Sequence, residues 1–192
     1  CMPGAAESML VVKLADLGDA ITATPALQAL AAARPEAGLD VLTSAAGAQV
    51  LGPLPEVNRA LVADRHFLDS PRSALRRSAW SGTVTLLRTL RAARYDTVLF
   101  LHHLTTPAGA LKWRMLAALL GPARTVGLDN GRGRFFNTRV PDLGFAALHE
   151  VQYALRITEA VGAPPVSRCL RVGVPAEAEA RAEGLLGPVF GQ

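Results

Sequence analysis

The stretch Met9–Leu30, MLVVKLADLGDAITATPALQAL, restricts the possible folds more than any other part of the chain. An apolar run from Met9 to Val12 leads into a short acidic turn with Asp16, Gly18 and Asp19, then into a segment rich in alanine and leucine. That order reads strand, turn, helix, the opening unit of an α/β domain. In such sheets ligands sit beyond the carboxyl ends of the strands, which is where Asp19 falls. The strand, about Met9 to Ala15, is apolar in succession rather than in alternation, as expected when helices cover both sheet faces. The helix that follows begins either at Gly18–Asp19 or at Thr24. In the second case Thr24 is the N-cap and Pro25 lies in the first turn, where its missing N–H would have had no partner. Leu27, Leu30 and Ala31 then form the face that packs on the sheet.

The alternation continues. Leu39–Ser44 reads as a strand, Ala45–Leu51 as a short helix and Arg59–Ala63 as a third strand. A polar loop, Asp64–Ser73, precedes a helical segment containing Leu75, Arg76 and Arg77, weakened at Ser81–Gly82. Val84, Leu87 and Leu90 mark the buried face of the helix after it. Thr97–Leu101 is a fourth strand running into His102–His103. Pro107 opens a helix that Gly121–Pro122 stops, and Thr125–Leu128 is a fifth strand. The loop Asp129–Asn137, rich in glycine and arginine, is expected to be mobile or ordered by a ligand. His149–Val161 has helical spacing with Gly162 as its cap. Leu170–Val174 is expected as a sixth strand and Ala176–Leu186 as a last, solvated helix. The result is a doubly wound, mostly parallel, Rossmann-like α/β sheet. At 192 residues the chain suffices for one well-buried domain. It divides into a tail (1–8), the sheet domain (9–174) and a terminal helical segment (175–192).

Charge is unevenly spread. Lysine occurs at Lys13 and Lys112 alone, and the formal net charge is +4. Arg59, Arg65, Arg72, Arg76, Arg77, Arg88, Arg91 and Arg94 are opposed locally by Asp64 and Asp69. Lys112, Arg114, Arg124, Arg132, Arg134 and Arg139 are opposed by Asp129. Arginine favours bidentate contact with phosphate or carboxylate, although a GC-rich genome also raises arginine at the expense of lysine. A solvated charged face is the ordinary account of such runs. Nucleic acid is not expected as a partner, because Phe67 and Trp80 are the sole aromatics among the first group and no recognition motif is present. No apolar run reaches the ~20 residues of a bilayer span, no secretory pattern opens the chain, and Cys1 and Cys169 make no disulfide framework. The expected location is the cytoplasm.

Asp19 has two compatible readings. A carboxylate in a first helical turn is favoured by free N–H groups and by the helix dipole, and a carboxylate so placed can also accept a proton. Gly18 permits close approach of a ligand to the backbone. Lys13, in an apolar strand, either extends to solvent at the strand end or pairs with Asp16 or Asp19. His102 and His103 are well placed for a ligand, yet no nearby carboxylate or cysteine has metal-ligand spacing, so no metal site is expected. His149 suits a capping or packing role. Neither a dinucleotide fingerprint nor a P-loop pattern is present.

Together these residues resemble the N-terminal half of the ADP-heptose:lipopolysaccharide heptosyltransferases, glycosyltransferase family 9. The likeness runs from about Met9 to Pro164. It rests on LVVKLADLGDAITATPAL, on Arg94–Leu104 (RYDTVLFLHHL), on the strand Thr125–Leu128 and on the helix His149–Gly162. Phe100 and His103 stand where the family often has Asp and Gly. The resemblance implies a GT-B architecture and inverting, metal-independent transfer with no cofactor. The donor would be a nucleotide sugar, ADP-heptose in the family, and the acceptor a lipid-linked inner-core saccharide at an anionic membrane face. Asp19 matches the family's base. Lys13, Gly18, Thr22, Arg72, Arg76, Arg77 and His102 would contact substrate, the arginines through acidic groups of the acceptor. The donor would be held mainly by a second, C-terminal domain. The other reading is a non-catalytic, stand-alone module that binds an anionic saccharide or partner.

Overall fold

The computed structural model describes residues 7–63 and 77–190, without the side chains of 77–81 and 186–190. Six strands form one sheet in the order β3-β2-β1-β4-β5-β6. They are β1 (Ser8–Lys13), β2 (Gly38–Thr43), β3 (Arg59–Val62), β4 (Thr97–Phe100), β5 (Arg124–Asp129) and β6 (Thr138–Pro141). Every neighbouring pair is parallel. The helices are α1 (Leu17–Ile21), α2 (Thr24–Ala33), α3 (Ala45–Leu51), α4 (Arg77–Ala92), α5 (Pro107–Leu120), α6 (Glu150–Glu159) and α7 (Ala176–Phe190).

The two-residue alternation of a strand explains why β1 has no polar face. Met9 and Val11 point into a core shared with Leu27, Leu30, Tyr153 and Ile157 of α2 and α6. Leu10 and Val12 point the other way, against Leu90 of α4 and Trp113, Leu116 and Leu120 of α5. Each such fully buried side chain contributes about 1.5–3 kcal/mol of transfer free energy. Strand order reverses between β1 and β4, and the crevice at their carboxyl ends is where a doubly wound sheet receives its ligand.

Four sequence expectations change. Both starts proposed for the first helix occur, as α1 and α2, and Ala23 rather than Thr24 caps α2. The Thr24 hydroxyl instead donates to the Ile21 carbonyl at 2.9 Å and accepts from the Arg171 amide at 3.0 Å. Helix α4 runs unbroken through Ser81–Gly82. A Cβ at Gly82 would meet nothing within 4 Å, so the glycine costs only its intrinsic propensity, about 1 kcal/mol, against the packing of Leu86, Leu87 and Leu90. The sixth strand is Thr138–Pro141, not Leu170–Val174. Residues 170–174 form an extended strap over α2 and α3, where the Gly173 amide donates to the Val50 carbonyl at 2.9 Å. Leu170, Val172 and Val174 are half exposed, so the apolar alternation that suggested a strand lies on the outer side of the strap. The solvated helix expected at Ala176 is present as α7. No helix among the described residues is long and apolar enough to cross a membrane.

Candidate functional site

The exit of β1 is tied down on both sides. The Leu14 amide donates to His102 Nε2 at 2.8 Å, joining it to the exit of β4. The Ala15 carbonyl accepts from the Ser44 hydroxyl at 2.7 Å, and the Ser44 hydroxyl oxygen caps α3 by accepting from the Gly47 amide at 3.0 Å. Helix α1 then lies flat on α3. A Cβ at Gly47 would fall 2.1 Å from Thr43 Oγ1 and 3.2 Å from Ala20 Cβ, so this approach requires glycine. With Ala20 turned inward and buried, Leu17, Gly18 and Asp19 are left exposed on the opposite face. The Asp19 carboxylate makes no hydrogen bond or ion pair with a described residue. A Cβ at Gly18 would meet nothing within 4 Å, so the surface beside Asp19 is open. The Thr22 hydroxyl is turned back onto the Asp19 carbonyl at 2.6 Å.

Lys13 does not pair with Asp16 or Asp19 and does not reach solvent. Its side chain is 7% exposed and its Nζ lies 3.4 Å from Glu150 Oε2, on α6. A lysine buried in a strand needs such a counterion. Glu150 also faces His103: His103 Nε2 is 3.0 Å from Glu150 Oε1, and His103 Nδ1 is 3.0 Å from Asp142 Oδ2. Tyr153 meets the ring edge-on at 4.7 Å and Phe145 covers it at 4.5 Å. The chain Lys13–Glu150–His103–Asp142 thereby joins β1, α6, the exit of β4 and the residue after β6. The sequence reading looked only for carboxylates at metal-ligand spacing near the histidines; the two that meet His103 come from 39 and 47 residues away. Among the described residues no group of three His, Cys, Asp or Glu side chains is arranged to hold a metal ion.

His102 is committed differently. It stacks on Trp113 at 4.8 Å and 14°. Burial, with smaller contributions from Lys13, Lys112 and His103, pushes its pKa down to about 3. The ring is therefore neutral at ordinary pH, as it must be for Nε2 to accept from Leu14. His149 is the N-cap of α6, accepting from the Val151 amide at 3.3 Å while its own amide donates to Gln152 Oε1 at 3.1 Å.

The loop between β5 and β6 was expected to be mobile or ligand-ordered and is instead held by its own residues. It returns the chain to a parallel neighbour in eight residues, 130–137, where a crossover normally takes a dozen or more. Asp129 Oδ1 accepts from the amides of Gly131 and Gly133, both at 2.8 Å. A Cβ at Gly133 would come within 2.9 Å of the Leu128 carbonyl oxygen and of Asp129 Cβ. Asn137 accepts from the Thr125 amide at 2.8 Å and its own amide donates to Thr125 Oγ1 at 3.0 Å. The rings of Phe135 and Phe136 meet at a tilt, 4.1 Å between centroids, and pack against Phe100, so the loop covers the sheet where a crossover helix would otherwise lie. Between this loop and α5 is a cavity of about 480 Å³ lined in part by Arg114, Arg132 and Arg134.

The structure thus brings Lys13, Gly18, Asp19, Thr22 and His102 to one end of the sheet. Arg72 and Arg76 lie outside the described residues, and Arg77 is the first residue of α4. Sequence reading missed Asp142 and Glu150, for which no local signal exists. It grouped Arg114, Arg132 and Arg134 as basic without giving them a role.

Neither a family model nor a curated protein sequence matches the chain. Solved structures do. A glycosyl transferase family 9 protein from Veillonella parvula matches with a TM-score of 0.73 at 22% identity, over 95% of this chain and 49% of its own. The E. coli heptosyltransferase WaaC, in a structure with ADP-2-deoxy-2-fluoro heptose, gives 0.64 at 20% identity, over 83% of this chain and 50% of its own. The E. coli ADP-heptose LPS heptosyltransferase II gives 0.61 at 18% identity, over 93% and 50%. The chain spans about half the length of each. It therefore has the Rossmann-like α/β fold of one half of a family 9 glycosyltransferase, the family its sequence resembles.

Proposed function

We propose that this chain is the acceptor-binding, N-terminal half of a heptosyltransferase-like glycosyltransferase that transfers a sugar from a nucleotide-diphosphate donor to a lipopolysaccharide-core or related glycan. The observation that carries the reading is Asp19. It is an exposed carboxylate without a partner among the described residues, held just beyond β1 by a short helix packed flat on α3. Its lone pairs are free to take a proton.

In this mechanism the acceptor hydroxyl oxygen attacks the anomeric carbon of the donor and Asp19 accepts the hydroxyl proton. The bond to the nucleoside diphosphate breaks on the opposite face, so configuration inverts, and no metal is required. Proton transfer of this kind contributes about 100- to 10,000-fold in rate. Lys13, buried and paired with Glu150, acts by fixing the β1 exit against α6. His102 does the same through the Leu14 amide. Gly18 leaves room for the sugar ring. Arg72, Arg76 and Arg77 are assigned to acidic groups of the acceptor. A nucleotide-sugar donor is supported by the donor analogue in the WaaC structure, and its diphosphate is assigned to a C-terminal second domain, in keeping with the half-length match.

The test joins this chain to a donor-binding second domain and follows release of nucleoside diphosphate with and without Asp19→Ala. Transfer collapses while the fold persists. Near-normal turnover in the variant overturns the assignment.

A further inference from the structure

An aromatic ring stands in water at the carboxyl end of the sheet. Phe145, in the segment between β6 and α6, is 68% exposed, and Leu143 two residues earlier is exposed as well. Single exposed apolar side chains are ordinary on a surface, but this one is held in place. Asp142 Oδ1 accepts from the Gly144 amide at 2.9 Å, and the Tyr153 hydroxyl donates to the Gly144 carbonyl at 2.7 Å. Gly144 has a φ of 92° and Ala146, on the other side of Phe145, a φ of 71°. The second is a strained conformation for a residue with a Cβ, and such strain persists only where its surroundings enforce it. The Phe145 ring lies against His103, 4.5 Å away at a tilt of 38°. His103 is fixed in turn by Tyr153 at its side and by Asp142 and Glu150 at its nitrogens. Covering His103 does not account for the arrangement, because a ring placed for burial would not leave most of its own surface in water.

The ring is tied by contacts to the end of the sheet where Asp19 stands exposed. His103 follows β4, Glu150 joins His103 to Lys13, and Lys13 is the last residue of β1. Next to the aromatic face, the Glu150 side chain is 32% exposed. Each of its oxygens makes one contact, to His103 or to Lys13, and keeps a lone pair for another donor. An aromatic face bordered by a carboxylate suits a molecule with C–H bonds on one side and hydroxyls at its rim, which describes a pyranose. The electron-rich ring face attracts the weakly positive C–H bonds, and the carboxylate accepts from a hydroxyl. An acyl chain would leave the carboxylate facing hydrocarbon, and an anionic bilayer would be repelled by it. We propose that Phe145, backed by His103, is a platform on which a pyranose ring of the acceptor stacks, with Glu150 taking a hydroxyl at its edge. His103 is one of the two positions at which this sequence departs from the pattern it otherwise resembles, so the backing of the platform is this chain's own. Only the statement that the sugar is an acceptor rests on the transferase reading.

Saturation-transfer NMR on the 192-residue chain tests the platform without donor or turnover. The probe is the deacylated core oligosaccharide of a rough-form lipopolysaccharide. Irradiating the protein's aromatic protons should pass saturation to ring C–H protons of the oligosaccharide. Phe145→Leu keeps an apolar cover on His103 but removes the aromatic face, and affinity should fall by about three- to tenfold, the worth of one stacked pair. Phe145→Trp restores an aromatic face and should bind at least as well as the wild type. Met115→Ala, which removes an equally exposed apolar side chain from α5 on the other face of the sheet, should leave affinity unchanged. The proposal is overturned if the wild type does not bind the oligosaccharide, if Phe145→Leu binds as the wild type does, or if Met115→Ala loses as much. A lowered urea midpoint in Phe145→Leu together with lost binding in Phe145→Trp would make the ring a structural one and also overturn it. So would binding of phosphatidylglycerol vesicles through Phe145 in place of the oligosaccharide. Because transfer is not measured, a failure here leaves Asp19 untouched, and a catalytically irrelevant Asp19 leaves the stacking intact.

Discussion

Asp40 lies within β2 and Asp19 just beyond β1, and the surroundings of the two aspartates are opposite in kind. Asp40 lies towards the amino end, with a side chain 4% exposed. Its carboxylate accepts from Arg59 Nη2 at 2.6 Å, from Arg59 Nε and from the Tyr95 hydroxyl at 2.6 Å. Burial first, and then the bond to Asp40, pushes the Tyr95 phenol up, so it stays a donor. Nearby, Glu7 pairs with Arg34 at 2.7 Å and accepts from Thr97 Oγ1 at 2.8 Å, so most of the charge lining the amino-end cavity is already spoken for. At the carboxyl end Asp19, Arg114, Arg132 and Arg134 have no such partners among the described residues, and the closed network of Lys13, Glu150, His103 and Asp142 lies at the same end. Most charges at one end are satisfied within the fold. Several at the other end are held in place without a partner among the described residues, which is what a substrate requires.

The largest expected effect separates the ends by function. In a polypeptide joined to a donor-binding domain, Asp19→Asn should lower the transfer rate by about 100- to 10,000-fold. Asp40→Asn, with a similar change in charge, should leave the transfer rate per folded molecule near that of the wild type. Product release measured at a fixed concentration of folded enzyme checks both. Comparable losses in the two variants would erase the functional distinction between the ends.

The second effect reverses the ranking. Asp40→Ala leaves the buried Tyr95 hydroxyl without an acceptor, and an unsatisfied buried group costs about 1–3 kcal/mol. The Arg59 side chain is 50% exposed and can return to water, so it adds little. Urea unfolding should show the loss as a lower midpoint with an unchanged slope.

The contrast also explains what the sequence could reveal. Met9–Val12, Thr97–Leu101 and Thr125–Leu128 are continuous apolar runs, and Pro107, Gly121 and Gly162 punctuate helices, so the doubly wound sheet follows from local pattern. Gly121 and Gly162 indeed have φ of 59° and 79°. Strand β6 escaped because its four residues, TRVP, carry too short an alternation and are joined to β5 by a loop that does the work of a helix. Asp19 was legible because its signal is local: a carboxylate placed by a strand and a turn. Glu150 and Asp142 were not, since their partner His103 is distant in sequence and nothing near them marks a buried charge. Arg114, Arg132 and Arg134 were visible as charge but not as a cluster, because only the returning loop brings residue 132 beside residue 114.

A third measurement asks whether His102 behaves as part of the closed structure. Its folded pKa is about 3, below the usual 6.5. Between those values the unfolded chain binds the proton and the native one does not, so this histidine makes stability fall as pH drops from about 6.5 towards 3 and has no effect above that window. The slope is at most about 1.4 kcal/mol per pH unit. In His102→Gln the amide oxygen can still accept from Leu14, but the proton linkage is gone. Between pH 7 and pH 5 the variant should lose less stability than the wild type, by about 1–2 kcal/mol. Parallel pH profiles would mean that the ring protonates in place.

The smallest expected effect is the most discriminating for Asp19. Its carboxylate contacts nothing described, and a Cβ on neighbouring Gly18 would meet only open space. Asp19→Asn should accordingly leave the urea midpoint where it is in the wild type, even as transfer fails. The amide keeps the size of the side chain and removes the charge, so a fall in midpoint would show that the carboxylate helps hold α1 on α3. Asp19 would then resemble Asp40, a structural acid, and its openness would say nothing about chemistry. An unmoved midpoint together with lost transfer leaves one account: the fold positions Asp19 without using it, and the proton it accepts comes from substrate.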